Sequence, residues 1–206
     1  MKYVTELTER YSALLPIKAD IEAAVAKIIE SYKNGGKVLL CGNGGSASDS
    51  DHVAGELLKG FLMKREPTGD ELSNLSKELG DDAVKLQRGI PAIPLPQLSG
   101  VLSAFANDVD PSLVYAQLVY ALGKAGDVLM AFSTSGNSAN VLKAVKCARA
   151  QGIFVISLTG ESGGKLLFAS DICLRAPECE TFKIQEYHLP IYHAICAQVE
   201  YELFGK

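Results

Sequence analysis

The chain lacks any apolar run long enough to cross a bilayer, and its start, Met1-Lys2-Tyr3-Val4-Thr5-Glu6, is charged early. Neither a membrane span nor a secretion signal is expected, which leaves the cytoplasm as the compartment. Basic runs are missing too. With 20 lysines and arginines against 24 acidic residues the formal net charge is −4, so nucleic acid, which requires a basic surface, is not an expected partner. The five cysteines, Cys41, Cys147, Cys173, Cys179 and Cys196, are odd in number, scattered and without a Cys-x-x-Cys pair. They read as reduced core or surface thiols. Cys179 stands between Glu178 and Glu180, two charges that disfavour its thiolate. Internal repeats, low-complexity tracts and domain linkers are absent as well. Since 206 residues of 48% apolar content can bury one sizeable core, residues 1–206 read as a single domain.

What the chain has instead is a pair of turns of one kind. The apolar Val128-Leu129-Met130-Ala131-Phe132 leads into Ser133-Thr134-Ser135-Gly136-Asn137-Ser138 and then a helical pattern over 139–151. The first N–H groups of a helix have no intrahelical partner and its dipole favours an anion there, while small hydroxyl residues add donors without blocking the approach. A sugar phosphate suits such a turn. A plainer reading makes Ser138 or Asn137 an N-cap and nothing more. The second turn, Gly42-Asn43-Gly44-Gly45-Ser46, lies between an apolar strand and a helix expected over 48–62. Its glycines permit positive φ and close approach, so successive N–H groups can converge on one anion or hydroxyl. No Gly-Lys-Ser/Thr follows and the Gly-x-Gly-x-x-Gly spacing fails, which excludes a P-loop and a dinucleotide fingerprint.

Strands are expected over 38–41, 92–95, 128–132, 154–158 and 172–174, separated by helices over 48–62, 98–106, 111–125, 139–151 and 165–169. N-terminal helices over 3–34, broken at Pro16, precede them, and a long helix over 181–203 closes the chain. This alternation predicts an α/β fold, a doubly wound parallel five-stranded sheet with helices on both faces. Ligands of such sheets bind at the carboxyl ends of the strands, where both turns fall. A charged segment over about 64–90 does not belong to the minimal unit. Its capping box at Thr68-Gly69-Asp70-Glu71 and its apolar Leu72, Leu75 and Leu79 predict an inserted amphipathic helix, longer if Ala83 and Leu86 continue it.

Groups able to move protons or hold a metal are few. His52 and Glu56, four apart, share a helix face just after the glycine-rich turn, a spacing that also suits an ordinary solvated face. The last helix offers Gln185, Glu186, His188 and His193.

Taken together, Cys41 to Ser46, His52 to Glu56, Asn107-Asp108, Gly126 to Leu129, Ser133 to Ser138, Leu158 to Gly160, and Ile184-Gln185-Glu186 followed by His193 resemble the sugar isomerase (SIS) domain family. The resemblance runs from about Gly35 to the C-terminus and implies a flavodoxin- or Rossmann-like sheet. Within the family it is to ketose–aldose isomerases of seven-carbon sugars, which implies conversion of sedoheptulose 7-phosphate to D-glycero-D-manno-heptose 7-phosphate. It further implies that Asn43, Gly44, Gly45 and Ser46 contact the sugar, that Ser133, Thr134, Ser135 and Ser138 hold its phosphate, and that Asn107, Asp108 and Gln185 line the site. His52, Glu56, Gln185 and His193 match a set binding one zinc per subunit, with Glu56 and His193 also the acid–base pair. His188 matches a position that is not a ligand. The implied assembly is a homotetramer whose sites join residues of different subunits.

A carboxylate held on zinc is a weaker base, so Glu56 is left as base, ligand, or each in turn. The chain departs from the family pattern in its longer stretch between Glu56 and Asn107, in basic residues shifted to Lys59, Lys64 and Arg65, and in Phe182 before the glutamine helix. Three alternatives stay open. One is a non-catalytic SIS-domain scaffold resembling replication-initiator-binding paralogues, against which the four retained metal-type residues speak; the second is an isomerase of a different sugar phosphate, and the third a sugar-phosphate-sensing module.

Overall fold

A computed structural model describes residues 1–205. The apolar segments form five strands, β1 (Val38–Cys41), β2 (Ala92–Pro94), β3 (Val128–Phe132), β4 (Phe154–Thr159) and β5 (Ile172–Arg175). All pair in parallel, in the order β2-β1-β3-β4-β5. Around them lie α1 (Lys2–Arg10), α2 (Lys18–Lys33), α3 (Gly45–Leu58), α4 (Gly69–Leu79), α5 (Ser99–Asp108), α6 (Val114–Leu122), α7 (Ala139–Ala150), α8 (Leu166–Ala169) and α9 (Thr181–Phe204). The strands read as unbroken apolar runs because both faces of the sheet are covered. Val38, Leu40, Val128, Met130 and Phe132 point into one core with α1, α2, α3 and α9, while Leu39, Cys41, Leu129 and Ala131 point into a second with α6, α7 and α8.

The chain leaves β1 for β2 on one side, then returns past β1 to β3 and continues outward to β5. This reversal opens a crevice between the ends of β1 and β3, the usual ligand position in doubly wound sheets. The two turns singled out in the sequence flank it.

Several boundaries differ from expectation. Pro16 is absorbed in a 3-10 turn over Ser12–Ile17, and Pro111 begins another that delays α6 to Val114. Helix α3 starts three residues early, at Gly45, because Gly44 takes φ +55° and turns the chain directly from strand to helix. The capping box does not form, since the Thr68 side chain makes no capping hydrogen bond. Helix α4 then stops at Gly80, where φ is again +55°, and a 3-10 turn over Gly80–Lys85 replaces the continuation expected to Leu86. None of its residues is buried, and Leu79 is exposed.

The base of this arm is held differently. Arg65 and Glu200 are both fully buried, with Arg65 Nε donating to Glu200 Oε1 at 2.7 Å. Glu200 also accepts the N–H groups of Phe61 and Leu62, each at 2.7 Å, and Arg65 donates to the carbonyls of Leu57 and Glu56. Those carbonyls belong to the last turn of α3, which has no intrahelical donors for them. Arg65 thus caps the helix that carries Glu56, and of the three shifted basic residues it is the one withdrawn from any ligand.

His188 on α9 is also buried, donating from Nε2 to the Thr159 carbonyl at 3.2 Å, while its Nδ1 finds no partner. Burial pushes its pKa from 6.5 down to about 4, the Thr159 hydrogen bond opposing that shift. Between those values the unfolded chain binds a proton that the folded chain refuses, so this contribution to stability is present above pH 6.5 and lost as pH falls towards 4. Wild type is therefore expected to lose on the order of 3 kcal/mol more unfolding free energy than His188→Asn between pH 6.5 and 4. Parallel urea titrations check this; equal losses in both proteins would refute it.

No helix among the described residues is long and apolar enough to cross a membrane.

Candidate active site

The serine turn is anchored from beneath. Ser133 N–H donates to Leu158 O at 3.0 Å and Thr134 O accepts from Gly160 N–H at 2.9 Å, so the turn at the end of β3 is bound to the end of β4. Gly136, at φ +63°, lies so close to Gly163 that a Cβ there would stand 2.0 Å from the Gly163 carbonyl oxygen. Only glycine fits. Ser138 does not cap α7; its hydroxyl meets that of Ser133 at 2.9 Å instead. The N-cap reading of Ser138 therefore fails at the side chain. Ser135 and Asn137 are exposed, with Ser135 Oγ accepting from Asn137 N–H.

The glycine-rich turn after β1 faces this one. Asn43 and Asn140, the latter on α7, exchange two amide hydrogen bonds of 2.9 Å each. The buried Tyr115 hydroxyl donates to Gly42 O at 2.6 Å. Neither Asn140 nor Tyr115 stands out in the sequence, because a turn's partners on distant helices leave no local pattern. Ser46 is buried in the first turn of α3, so its side chain is less accessible than Asn43, Gly44 and Gly45, which are exposed. A Cβ on Gly45 would lie 2.4 Å from Gln185 Nε2, so glycine here admits the α9 amide to the turn.

Helices α3 and α9 run alongside one another, and further along them His52, Glu56 and His193 meet. His52 Nε2 lies 3.3 Å from Glu56 Oε1 and 3.4 Å from His193 Nε2. The rings of His52 and His193 pack edge to face at 4.8 Å. Glu56 Oε2 is buried without a hydrogen-bond partner, Lys59 Nζ standing 3.7 Å away. Burial, followed by the nearby His52, holds the His193 pKa below 6.5, with Glu56 pulling the other way. Gln185 is not part of this contact, since its amide packs at Gly45, seven residues or about 10 Å of helix before His52. Among the described residues no group of three or more His, Cys, Asp or Glu side chains is placed so as to hold a metal ion.

Two further side chains complete the surroundings of His52. Its Nδ1 lies 3.0 Å from the Tyr192 hydroxyl, which donates to Asp49 Oδ1 at 3.4 Å. Burial raises the Asp49 carboxyl to about 6 against the opposing pull of Tyr192 and His52. Asn107 and Asp108 lie exposed at the end of α5, hydrogen-bonded to each other at 2.9 Å. Within one chain they make no hydrogen bond to either turn among the described residues. The Cys179 thiol is raised above its ordinary value, first through its contact with Glu161 at 3.3 Å and only to a smaller degree by the flanking Glu178 and Glu180.

A family model described as the SIS domain matches residues 2–88 and 89–160. The chain belongs to the SIS-domain family. It is 39% identical over 180 residues to the phosphoheptose isomerase of Rhodospirillum rubrum, covering 87% of this chain and 84% of that protein. Against the phosphoheptose isomerase of Burkholderia pseudomallei the identity is 36%, covering 100% and 97%. The solved structure of phosphoheptose isomerase GmhA from Neisseria gonorrhoeae matches with a TM-score of 0.76 and 33% identity, over 95% of this chain and 94% of that one.

Proposed function

We propose that the protein is a ketose–aldose isomerase of a sugar phosphate, interconverting sedoheptulose 7-phosphate and D-glycero-D-manno-heptose 7-phosphate. The observation that carries this reading is the meeting of His52 and Glu56, on the helix that starts from the switch-point crevice, with His193 of α9, in a chain similar throughout to phosphoheptose isomerases. Ser133, Thr134, Ser135 and Ser138 receive the phosphate beside the first N–H groups of α7. Asn43, Gly44, Gly45 and Ser46 take the sugar.

His52, Glu56 and His193 fit a zinc ion by their donor set of two imidazoles and a carboxylate, with Gln185 the fourth in the family pattern. His52 Nε2 brings these donors together, 3.3 Å from Glu56 Oε1 and 3.4 Å from His193 Nε2, while Gln185 stands apart at Gly45. Glu56 Oε2 accepts no hydrogen bond, its charged neighbour being Lys59 Nζ at 3.7 Å. When bound, zinc polarises the carbonyl and stabilises the oxyanion.

The chain's own residues move the proton. Glu56 removes it from the carbon next to the carbonyl and returns it to the neighbouring carbon, while His193 exchanges a proton with the oxygens. Its depressed pKa leaves His193 neutral near pH 7, able to accept before it donates. A homotetramer in the cytoplasm, with Asn107 and Asp108 reaching a neighbouring subunit's site, completes the reading.

Purified protein mixed with sedoheptulose 7-phosphate and zinc is expected to form the aldose. Ser135→Asp is expected to abolish binding, because a carboxylate then occupies the phosphate's place. Product assay and calorimetric titration check both. Absence of product from wild type, or undiminished binding by Ser135→Asp, would overturn the assignment.

A further inference from the structure

We infer that Tyr192, held by Asp49, is a positioning residue that fixes which nitrogen of His52 is free to bind a metal. The inference rests on the zinc reading above but is carried by a separate set of contacts. The Tyr192 side chain is buried, its ring wedged edge-on against His52 at 5.5 Å, His193 at 5.1 Å and Phe132 at 6.3 Å. Phe132 ends β3, so the phenol stands as a post rooted in the sheet. Its hydroxyl donates to Asp49 Oδ1, which turns an oxygen lone pair towards His52 Nδ1 at 3.0 Å. An acceptor at that point draws the proton of neutral His52 to Nδ1, against the Glu56 carboxylate 3.3 Å from Nε2, which draws it the other way. Nε2 is then left unprotonated, aimed at Glu56 and His193.

Without this bias the ring would divide between two tautomers, one with a proton where a metal has to bind. A histidine ligand's affinity depends on such a partner at its other nitrogen by roughly 10–100-fold. Sequence places Asp49, His52 and Glu56 on one face of α3 at i, i+3 and i+7, and Tyr192 directly before His193. The hydroxyl therefore works through His52 and does not itself touch the metal.

Tyr192→Phe removes the hydroxyl and keeps the ring that packs on both histidines. Two measurements separate this inference from the reading beneath it. In metal-free protein, nitrogen-15 NMR of the imidazoles is expected to show His52 protonated at Nδ1 in wild type and a shift towards the Nε2-protonated form in Tyr192→Phe. In zinc competition against a chelator, Tyr192→Phe is expected to bind roughly 10–100-fold more weakly. Asp49→Ala should follow it, whereas Asp49→Asn, which keeps an acceptor oxygen, should stay within a fewfold of wild type. An unchanged His52 tautomer in Tyr192→Phe would overturn the inference, as would wild-type zinc affinity in both Tyr192→Phe and Asp49→Ala. Failure of wild type to bind zinc would instead overturn the metal reading, leaving the tautomer measurement to decide the role of Tyr192.

Discussion

Glu56→Gln is expected to bind sedoheptulose 7-phosphate nearly as wild type does and to turn it over at least about a hundredfold more slowly, the lower end of a general base's contribution. The amide keeps the shape of the side chain and a neutral oxygen near His52, but it cannot take a proton from carbon. The serine turn lies on another strand and helix, so phosphate recognition stays intact. Steady-state turnover alongside calorimetric binding separates the two effects. Reaction in deuterated water adds a second view, since wild type should place deuterium on the carbon that receives the proton. Binding by wild type with neither product nor deuterium uptake would leave the scaffold reading standing in place of the enzyme.

Removing Glu200 is expected to produce the largest loss of stability. Glu200→Ala leaves the buried Arg65 guanidinium without its counter-charge and two backbone N–H groups, of Phe61 and Leu62, without an acceptor. Breaking a buried pair from one side costs about 3–5 kcal/mol. Replacing both members, as in Arg65→Met with Glu200→Leu, should recover only part of this, because the Phe61 and Leu62 N–H groups stay unpaired at about 1–3 kcal/mol each. Urea unfolding of the single and double variants measures both numbers. A loss below about 1 kcal/mol in Glu200→Ala would show that water reaches Arg65 and that the clamp is not sealed.

The sheet is legible in the sequence because its strands are short apolar runs between glycine and proline punctuation, and all five begin and end within one residue of expectation. Helix ends are less so. Gly44 and Gly80 decide where α3 begins and α4 stops, through backbone angles that a residue name permits without requiring. His52 and Glu56 share a face as their spacing requires, yet nothing local announces that His193 arrives beside them from a helix far along the chain. Tyr192, Asn140 and the Arg65–Glu200 clamp were illegible for the same reason: each acts through contacts made across a large separation in sequence. A polar residue on a buried face is a faint signal for such contacts, and on α9 Glu200 carries it together with His188 and Gln198.

Helices α3, α7 and α9 all begin just after strands of one parallel sheet, at the same edge. Each contributes a partial positive charge of about half a unit from its free N–H groups. In a chain whose formal net charge is −4, α3 and α7 thus carry a rim of two partial positive charges built from backbone alone, whereas Glu180 stands at the N-cap of α9. Such a rim does not titrate and cannot be deleted by changing a lysine or arginine. Its attraction for an anion therefore does not depend on the titration of any basic side chain.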